Sequence, residues 1–482
     1  MPGCASAEDE GDPVRIAVVV TSFPSVSQTF VLNQITGLID RGHEVDVYAS
    51  ASEEGGGAEH DDVRDYRLAE RVRYTAAMAP GASLPRRVVS AARVLARYWW
   101  RDPGAAWRAA RSAPGRYGNT SRLALLYRGA PFAGRGAYDA VLCHFGPNGQ
   151  RTLALREAGI LHGRIVTVFH GYDMSRYLAV AGTHIYGQLF ADGDLFLPVS
   201  EFWRRRLIAL GCPPEKIAVH HMGIELAKFP LWPRRIDRGR GTVRILTVAR
   251  LVEKKGVEYA IRAVAALRYT TTRRVEYRVI GDGPLRARLE QLVDELDAGD
   301  VVRLEGEKDQ GGVGEAMRQA HLFLAPSVTA DDGDMEGIPV SIMEAMACGL
   351  PVVSTLHSGI PELVHDRVSG LLVPERDVDS LERALRYLVD QPRQWRKMGI
   401  AGRGVVESEY NVDLLNDRLV ELLAGKAVRD GRSEKDTAGV GDREVKRKAA
   451  VEEDGVAEDE PKPIAEEATS IVIGKRGSSV LS

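Results

Sequence analysis

The stretch 14-VRIAVVVTSFPSVSQTFVLNQITGLIDRGHEVDVYA-49 decides the fold of the first half of the chain. It begins with a continuous apolar run of strand length and passes through a Ser- and Pro-rich turn into a segment with helical periodicity. It ends in a second strand, 44-EVDVYA-49. Strand, helix and strand form a βαβ unit, and strands that are apolar throughout belong to a sheet covered on both faces. We therefore predict a parallel α/β sheet here.

The same alternation restarts at 243-VRILTVAR-250, after the Pro- and Arg-rich stretch 230-PLWPRRIDRGRG-241. Two successive α/β units predict two doubly wound domains that face one another. Near Gly425 a mixed-charge tail begins, and we expect most of it to be disordered. The predicted parts are a disordered N-terminus at 1–13, a first domain at 14–225, a second domain at 226–392, a helical segment at 393–424 and the disordered tail at 425–482.

The composition is that of a globular protein, because 44% of the 482 residues are apolar and 27% are charged. The formal net charge of −3 argues against nucleic-acid binding. The sequence contains no signal-peptide pattern and no run of about 18 apolar residues, so we expect a cytoplasmic protein. The cysteines lack the spacing of a zinc site, and we expect them to be reduced thiols: Cys4, Cys143, Cys212 and Cys348.

Two glutamates, Glu336 and Glu344, flank a predicted helix start in 334-DMEGIPVSIMEAMACGLPVV-353. The Gly-Ile-Pro turn between them lets the backbone approach a ligand, and its proline suits the first turn of a helix at about 339–348. The free amides at this helix start favour an anion. We expect Glu336 to meet a sugar hydroxyl and the partly buried Glu344 to meet a ribose diol. Either glutamate alone would more often be a cap or a solvated group, but the combination favours a ligand site.

Two cations, Arg250 and Lys255, lie in 249-ARLVEKKGVEYA-260 at the carboxyl end of a predicted strand, where open α/β sheets bind ligands. A forked guanidinium together with a point charge suits a pyrophosphate. By themselves, Lys254 and Lys255 would more often be a solvated pair. A second Gly-Ile-Pro helix start, 358-SGIPELV-364, offers further amides for a diphosphate.

A histidine, His170, ends the strand 164-RIVTVFH-170. It is either a core residue or a site residue, since strand carboxyl ends are the usual place for site chemistry. His144 and Asn148 hold an equivalent position in 143-CHFGPNG-149, where they can contact a bound ligand.

The E-x7-E spacing of the two glutamates resembles the signature of the retaining GT-B glycosyltransferases of family four. The stretch 333-GDMEGIPVSIMEAMACGLPVVSTLHSGIPELV-364 is most similar to the colanic-acid-type exopolysaccharide enzymes of that family. The resemblance spans about 14–424 and is most specific in the second half. It includes 169-FHGYD-173 and 246-LTVARLVEKKG-256.

This resemblance implies a GT-B fold, in which two Rossmann-like domains face across a cleft and the second domain holds most of the nucleotide sugar. It implies transfer of a hexosyl or other glycosyl group, with retention, from a nucleotide-diphosphate sugar to a glycan or polyprenyl-linked acceptor. No metal and no other cofactor is expected. A helix within 393–424 is expected to cross back to the first domain.

The resemblance also assigns the site residues. Arg250 and Lys255 would hold the donor diphosphate, Glu336 the donor-sugar hydroxyls and Glu344 the ribose, while His170 would face the donor sugar. The predicted catalytic residues are His170, Arg250, Lys255 and Glu336. The predicted donor-binding residues are Ser25, Ser27, Gln28, Gly337, Ile338, Pro339 and Glu344. Contacts to donor or acceptor are predicted for His144, Asn148 and Asp173.

Four other functions compete with this one. The Asp-x-Asp at 332–334 is the metal signature of GT-A enzymes, but it lies late in a second α/β domain. A Rossmann dehydrogenase would need a GxGxxG loop, and none follows the first strand of either unit. A nucleotide-sugar epimerase of the same fold would need a similar cleft. A catalytically silent sugar-nucleotide-binding partner protein is disfavoured, because every implied catalytic residue is present.

An Arg-rich segment at 85–130 contains ten arginines and one acid, Asp102. It predicts a basic amphipathic helix that can lie on an anionic membrane surface and bring the enzyme to a polyprenyl-linked acceptor. The alternative is a first-domain helix whose apolar stripe packs on the sheet, and the two are compatible. The predicted stripe is Val88, Ala92, Leu95 and Trp99, opposite Arg86, Arg93, Arg97 and Arg101.

Overall fold

The computed structural model describes residues 13–24, 29–51, 61–75, 84–111, 122–232 and 241–425. Three predicted features lie outside these ranges. They are the turn residues Ser25, Ser27 and Gln28, the N-terminus up to residue 12, and the tail from residue 426 onward.

The first half of the chain contains six strands and ten α-helices within the described ranges. The strands are β1 Arg15–Ser22, β2 Glu44–Ala51, β3 Val72–Tyr74, β4 Ala140–His144, β5 Arg164–Phe169 and β6 Leu195–Pro198. The helices are α1 Thr29–Asp40, α2 Asp61–Asp65, α3 Leu68–Arg71, α4 Leu84–Arg101, α5 Pro103–Arg111, α6 Arg122–Gly129, α7 Gly146–Glu157, α8 Arg176–Ala181, α9 Gly187–Asp192 and α10 Glu201–Ala209.

The second half repeats the design. Its strands are β7 Val243–Val248, β8 Val275–Ile280, β9 Val302–Gly306, β10 Leu322–Ala325, β11 Val352–Thr355 and β12 Gly370–Val373. Its helices are α11 Val257–Thr270, α12 Arg286–Glu295, α13 Gln310–Gln319, α14 Val340–Ala347, α15 Ile360–Leu363, α16 Val378–Asp390, α17 Arg393–Glu409 and α18 Val412–Leu423.

Both sheets are parallel and doubly wound, as the continuous apolar strands predicted. The first has the order β3-β2-β1-β4-β5-β6, and the second has the order β12-β11-β10-β7-β8-β9. Strand β1 pairs with β2 on one side and β4 on the other, and β7 pairs with β8 and β10. The winding therefore reverses beside β1 and beside β7, which opens a crevice at the carboxyl end of each sheet.

The last helix, α18, packs on α1 of the first domain. Gly37 allows this close approach, because a Cβ at that position would lie 1.8 Å from Nδ2 of Asn416. Asn416 donates to the carbonyl of Asn33 at 3.2 Å, and Arg41 Nε lies 2.6 Å from Asp417 Oδ1. The C-terminal end of the second half is thus joined to the first domain by packing, a hydrogen bond and an ion pair.

Helix α4 packs differently from the prediction. Among the α4 side chains that the structure describes, Tyr98 is buried with its hydroxyl against Gly129 of α6, and Val94 is partly buried in the same core. Two members of the predicted stripe, Leu95 and Trp99, are exposed instead. For the described members of the stripe, the alternative of packing on the sheet was wrong, because α4 packs mainly on α5 and α6. No helix within the described ranges is long and apolar enough to cross a membrane.

Candidate active site

Lys255 and Glu336 form a partly buried ion pair beside the second sheet, with 3.0 Å between Lys255 Nζ and Glu336 Oε2. Lys255 ends a short 3₁₀ helix after β7, and Glu336 lies in the loop between β10 and α14. Burial alone would raise the pKa of Glu336, but the charges of Lys255 and Lys254 lower it below its ordinary value. The two residues predicted to bind different parts of one ligand are therefore in direct contact.

Glu375 supports the loop of Glu336 through His357. The Glu336 N–H donates to His357 Nε2 at 3.1 Å, so His357 carries its proton on Nδ1, which lies 2.6 Å from Glu375 Oε1. Glu375 also accepts the N–H of Thr329 at 2.7 Å. The sequence analysis missed His357 and Glu375, although each lies two residues after the carboxyl end of a strand, β11 or β12.

The other charged groups nearby differ in whether they have an ion-pair partner. Lys254 Nζ lies 3.0 Å from Asp334 Oδ2, and Arg176 of the first domain lies 3.0 Å from Asp332 Oδ2. Both carboxylates of the Asp-x-Asp thus contact cations. Arg250 is exposed and makes no side-chain hydrogen bond or ion pair with the described residues. Its guanidinium is available to an anion.

A metal site would need several His, Cys, Asp or Glu side chains close together within the described ranges. No group of three or more His, Cys, Asp or Glu side chains there is arranged to hold a metal ion. The expected independence from metal stays a prediction, because it concerns activity.

The loops of the two domains touch at Gly337. A Cβ at Gly337 would lie 2.1 Å from the His170 carbonyl oxygen, and a Cβ at Gly171 would lie 2.9 Å from the Gly337 nitrogen. Gly337, before α14, therefore permits a close backbone approach. The group that approaches is the His170 carbonyl of the first domain, not a ligand. Ile338 is buried beside it. This contact brings His170 next to the Glu336 loop.

His170 forms a pair with His144 at the carboxyl ends of β5 and β4. His170 Nε2 lies 3.1 Å from His144 Nδ1, and its ring packs 4.8 Å from Phe30 of α1. Burial lowers the pKa of both residues, that of His144 to about 3, so both rings are neutral and one donates to the other. The fully buried Asp173 accepts the N–H groups of His170 and Gly171, each at 3.0 Å. Asp173 thus shapes the loop, and its substrate contact stays a prediction.

Glu344 lies on α14 and lines a cleft between the domains with about 490 Å³ of free space. Phe30 and Asn33 of the first domain form the opposite wall. Burial raises the pKa of Glu344 to about 7, so the carboxyl can donate as well as accept near neutral pH. Helix α14 begins at Val340, and Pro339 is its N-cap residue, one position before the first turn in which it was predicted.

Glu362 joins the two domains at a second point. Its carboxylate accepts the backbone N–H groups of Glu201 and Phe202 at 2.7 and 2.8 Å. These amides begin α10 of the first domain, where a negative charge is favoured by the helix dipole. Glu362 lies in the Gly-Ile-Pro stretch predicted to bind a diphosphate. The structure gives its side chain a role in holding the domains together.

Two doubly wound domains that meet at an acid-lined cleft form the GT-B architecture, and solved glycosyltransferases share it. A glycosyltransferase from Rickettsia africae superposes with a TM-score of 0.61 at 14% identity, covering 87% of this chain and 100% of that one. The Anabaena protein HepE, solved with UDP and glucose, superposes with a TM-score of 0.60 at 17% identity, covering 86% of this chain and 100% of that one. At these identities the likeness shows the fold.

The sequence itself shows the family. Residues 27–228 match the Glycosyltransferase Family 4 model, and residues 230–426 match the model of Glycosyl transferases group 1. The amylovoran biosynthesis glycosyltransferase AmsK of Erwinia amylovora is 40% identical over 416 residues, which are 85% of this chain and 99% of AmsK. WcaL of Escherichia coli K12, named for colanic acid biosynthesis, is 39% identical over 419 residues, with the same coverage. The chain therefore belongs to this family of GT-B glycosyltransferases, as the E-x7-E resemblance implied.

Proposed function

We propose that the protein moves a sugar from a nucleotide-diphosphate sugar to a glycan acceptor, with retention of anomeric configuration and without a metal or another cofactor. The observation that carries this proposal is the partly buried Lys255–Glu336 pair at the contact between the two domains. A diphosphate would attract Lys255, and sugar hydroxyls would engage Glu336, so one ligand satisfies both members of the pair. The fold neighbour HepE, which holds UDP and glucose, supports this class of donor.

Each residue then has a defined role. Arg250 and Lys255 stabilise the charge that the leaving diphosphate gains, and this is the largest contribution to be expected from such a site. Glu336 and the neutral His170 orient the donor sugar, while Glu344 binds the ribose. Retention follows from attack on the face that the diphosphate leaves, with its oxygen accepting the proton of the acceptor hydroxyl. The turn with Ser25, Ser27 and Gln28 lines the phosphates in this proposal.

The acceptor proposal concerns exopolysaccharide assembly at a membrane. The relatives AmsK and WcaL are named for amylovoran and colanic acid biosynthesis. Helix α4 exposes Leu95, Trp99 and Trp100 together with Arg93 and Arg101, a mixture that suits the surface of an anionic bilayer. We therefore propose a polyprenyl-linked glycan acceptor and peripheral binding at the cytoplasmic face of the membrane.

A donor screen followed by product analysis tests the reaction. UDP-, GDP- and ADP-sugars are incubated with the purified chain, and donor hydrolysis and the anomer first released are followed by proton NMR. We expect one donor class to be hydrolysed with retention and with EDTA present. No hydrolysis of any donor would favour a silent binding protein, an isomerised nucleotide sugar would favour an epimerase, and strict dependence on metal would restore the GT-A alternative.

A further inference from the structure

A crevice in the first domain, separate from the donor cleft, holds two arginines. It lies beside β1 and β2, near the carboxyl ends of these strands, and it contains about 340 Å³ of space that is partly open to solvent. Val20, Tyr48 and Phe132 form apolar walls, and Arg128 and Arg151 supply the charge. Open α/β sheets bind ligands outside the carboxyl ends of their strands.

The positive charge of this crevice is not neutralised by the described residues. Arg151 Nη1 donates to Asn148 Oδ1 at 3.1 Å, and neither Arg151 nor Arg128 has a carboxylate within ion-pair distance in the described ranges. Burial lowers the pKa of Arg128, and the charge of Arg151 lowers it further. Guanidinium groups nevertheless stay protonated in proteins, so two like charges are held together in a half-buried place. An anion bound between them would reduce the cost of holding these charges together.

Asn148 fixes the geometry of the crevice and links it to the reaction site. Its Nδ2 donates to Thr21 Oγ1 at 3.1 Å and to the His144 carbonyl at 2.8 Å. These two bonds set the orientation of the amide, so its Oδ1 is directed to Arg151. Because His144 contacts His170, a ligand at the arginines would lie at the same edge of the sheet as the histidine pair.

We propose that Arg128 and Arg151 bind an oxyanion group, phosphate or carboxylate, of the sugar acceptor. This inference rests on the proposed function, in which the donor diphosphate has its own cations in the second domain. The forked donors of two guanidinium groups suit both oxyanions. Ser50 and Thr75, on the rim of the crevice, add hydroxyls that can bond the attached sugar. The acceptor is thus an acidic glycan, carrying either the phosphate of a lipid carrier or a uronic acid.

Direct titration of the full chain tests this site. Inorganic phosphate, glucuronate and neutral glucose are titrated by calorimetry into the unchanged protein, the R128Q/R151Q variant and a control, R205Q/R206Q. The control removes the same charge from exposed positions on α10 of the same domain. We expect the unchanged protein and the control to bind an oxyanion and not glucose, and R128Q/R151Q to bind it about tenfold more weakly or worse.

The outcomes separate the possible sources of the anion. Stronger binding of phosphate indicates a phosphate-linked acceptor, and stronger binding of glucuronate indicates a uronic acid. Equal oxyanion binding by R128Q/R151Q, or none by the unchanged protein, would overturn the proposal. If the double variant does not fold, R151Q carries the test alone, since it leaves Arg128 in place. Donor hydrolysis by the unchanged protein is scored separately, so its absence contradicts the proposed function and not the oxyanion site.

Discussion

The two domains differ in whether their lysines and arginines have carboxylate partners. In the second domain, Lys254 and Lys255 are each 3.0 Å from a carboxylate of the same domain. In the first domain, Arg128 and Arg151 share a half-buried crevice without a carboxylate partner among the described residues. In the proposed function, the paired lysines would contact the diphosphate of the donor when it binds. Arginines without such a partner depend on the ligand for neutralisation.

This difference matches the two substrates of a transferase. A diphosphate that becomes more negative as it reacts is best stabilised by cations that are held in place before the reaction, and neighbouring acids hold Lys254 and Lys255. An acceptor whose own anion does not react needs only to be held in place. We therefore propose that the first domain uses unpaired arginines for binding the acceptor, while the second combines two paired lysines with the unpaired Arg250 for catalysis.

The largest effect on activity is expected from breaking the Lys255–Glu336 ion pair. Lys255→Ala and Glu336→Gln should each lower turnover by about 10² to 10³, since one charge-assisted contact in a closed site contributes about 2–4 kcal/mol to transition-state stabilisation. The rate of donor hydrolysis measures this loss, with the donor chosen from the nucleotide-sugar screen.

Lys397→Ala and Glu409→Gln are the matched controls, because both positions are exposed on α17. Circular dichroism and thermal unfolding establish that each variant is folded. Near-normal turnover in folded Lys255→Ala or Glu336→Gln would mean that this ion pair has no part in catalysis. The paired charges of the second domain would then have no catalytic role.

The next effect concerns the contact that holds the domains together. Glu362→Ala removes both acceptors of the α10 amides and should lower the free energy of unfolding by about 1.5–3 kcal/mol, as expected for hydrogen bonds to a charged group. Urea unfolding measures the change, and Glu409→Ala serves as the exposed control. An unchanged midpoint with an unchanged slope would mean that α18 and the glycine contact join the domains without help from Glu362.

The sequence predicted those parts of the molecule that depend on local pattern. Apolar strands and helix starts predicted both sheets and located Lys255 and Glu336 near one edge, although 81 positions separate them. It did not predict the roles of His357 and Glu362, because their hydrogen-bond partners come from other segments of the chain that tertiary packing brings close. The face of α4 was wrong for the same reason, since Tyr98 is selected by contact with α6 and not by the apolar stripe.

A smaller effect is expected from the exposed charges of α4, which extend the uncompensated charge of the first domain. Arg93→Gln with Arg101→Gln should weaken binding to anionic vesicles by about 1 kcal/mol for each charge removed. Cosedimentation at low and high salt measures this, and R205Q/R206Q controls for net charge. Equal vesicle binding by the α4 variant and its control would leave the membrane proposal without support.

The smallest effect concerns Glu344, the acid of the donor cleft without a cationic partner among the described residues. Burial raises its folded-state pKa to about 7, whereas an unfolded glutamate titrates near about 4.3. Between these values the folded chain binds more protons than the unfolded chain, so its stability falls as pH rises. Below the unfolded value Glu344 is neutral in both states and has no effect. Above pH 7 the full penalty for the buried charge is present.

Glu344→Gln should therefore remove part of the pH dependence of stability. Relative to this variant, the unchanged protein should lose on the order of 1–2 kcal/mol of unfolding free energy between pH 5 and pH 8, less than complete burial would give because the carboxyl lines an open cleft. Urea unfolding at both pH values measures the difference, and Glu409→Gln should show none. Parallel pH profiles for the unchanged protein and Glu344→Gln would mean that this carboxyl is solvated and ionised. Glu344 could then only accept hydrogen bonds from a ribose in the proposed donor cleft. The proposed donor cleft and the arginine crevice would then differ only in the sign of their charge.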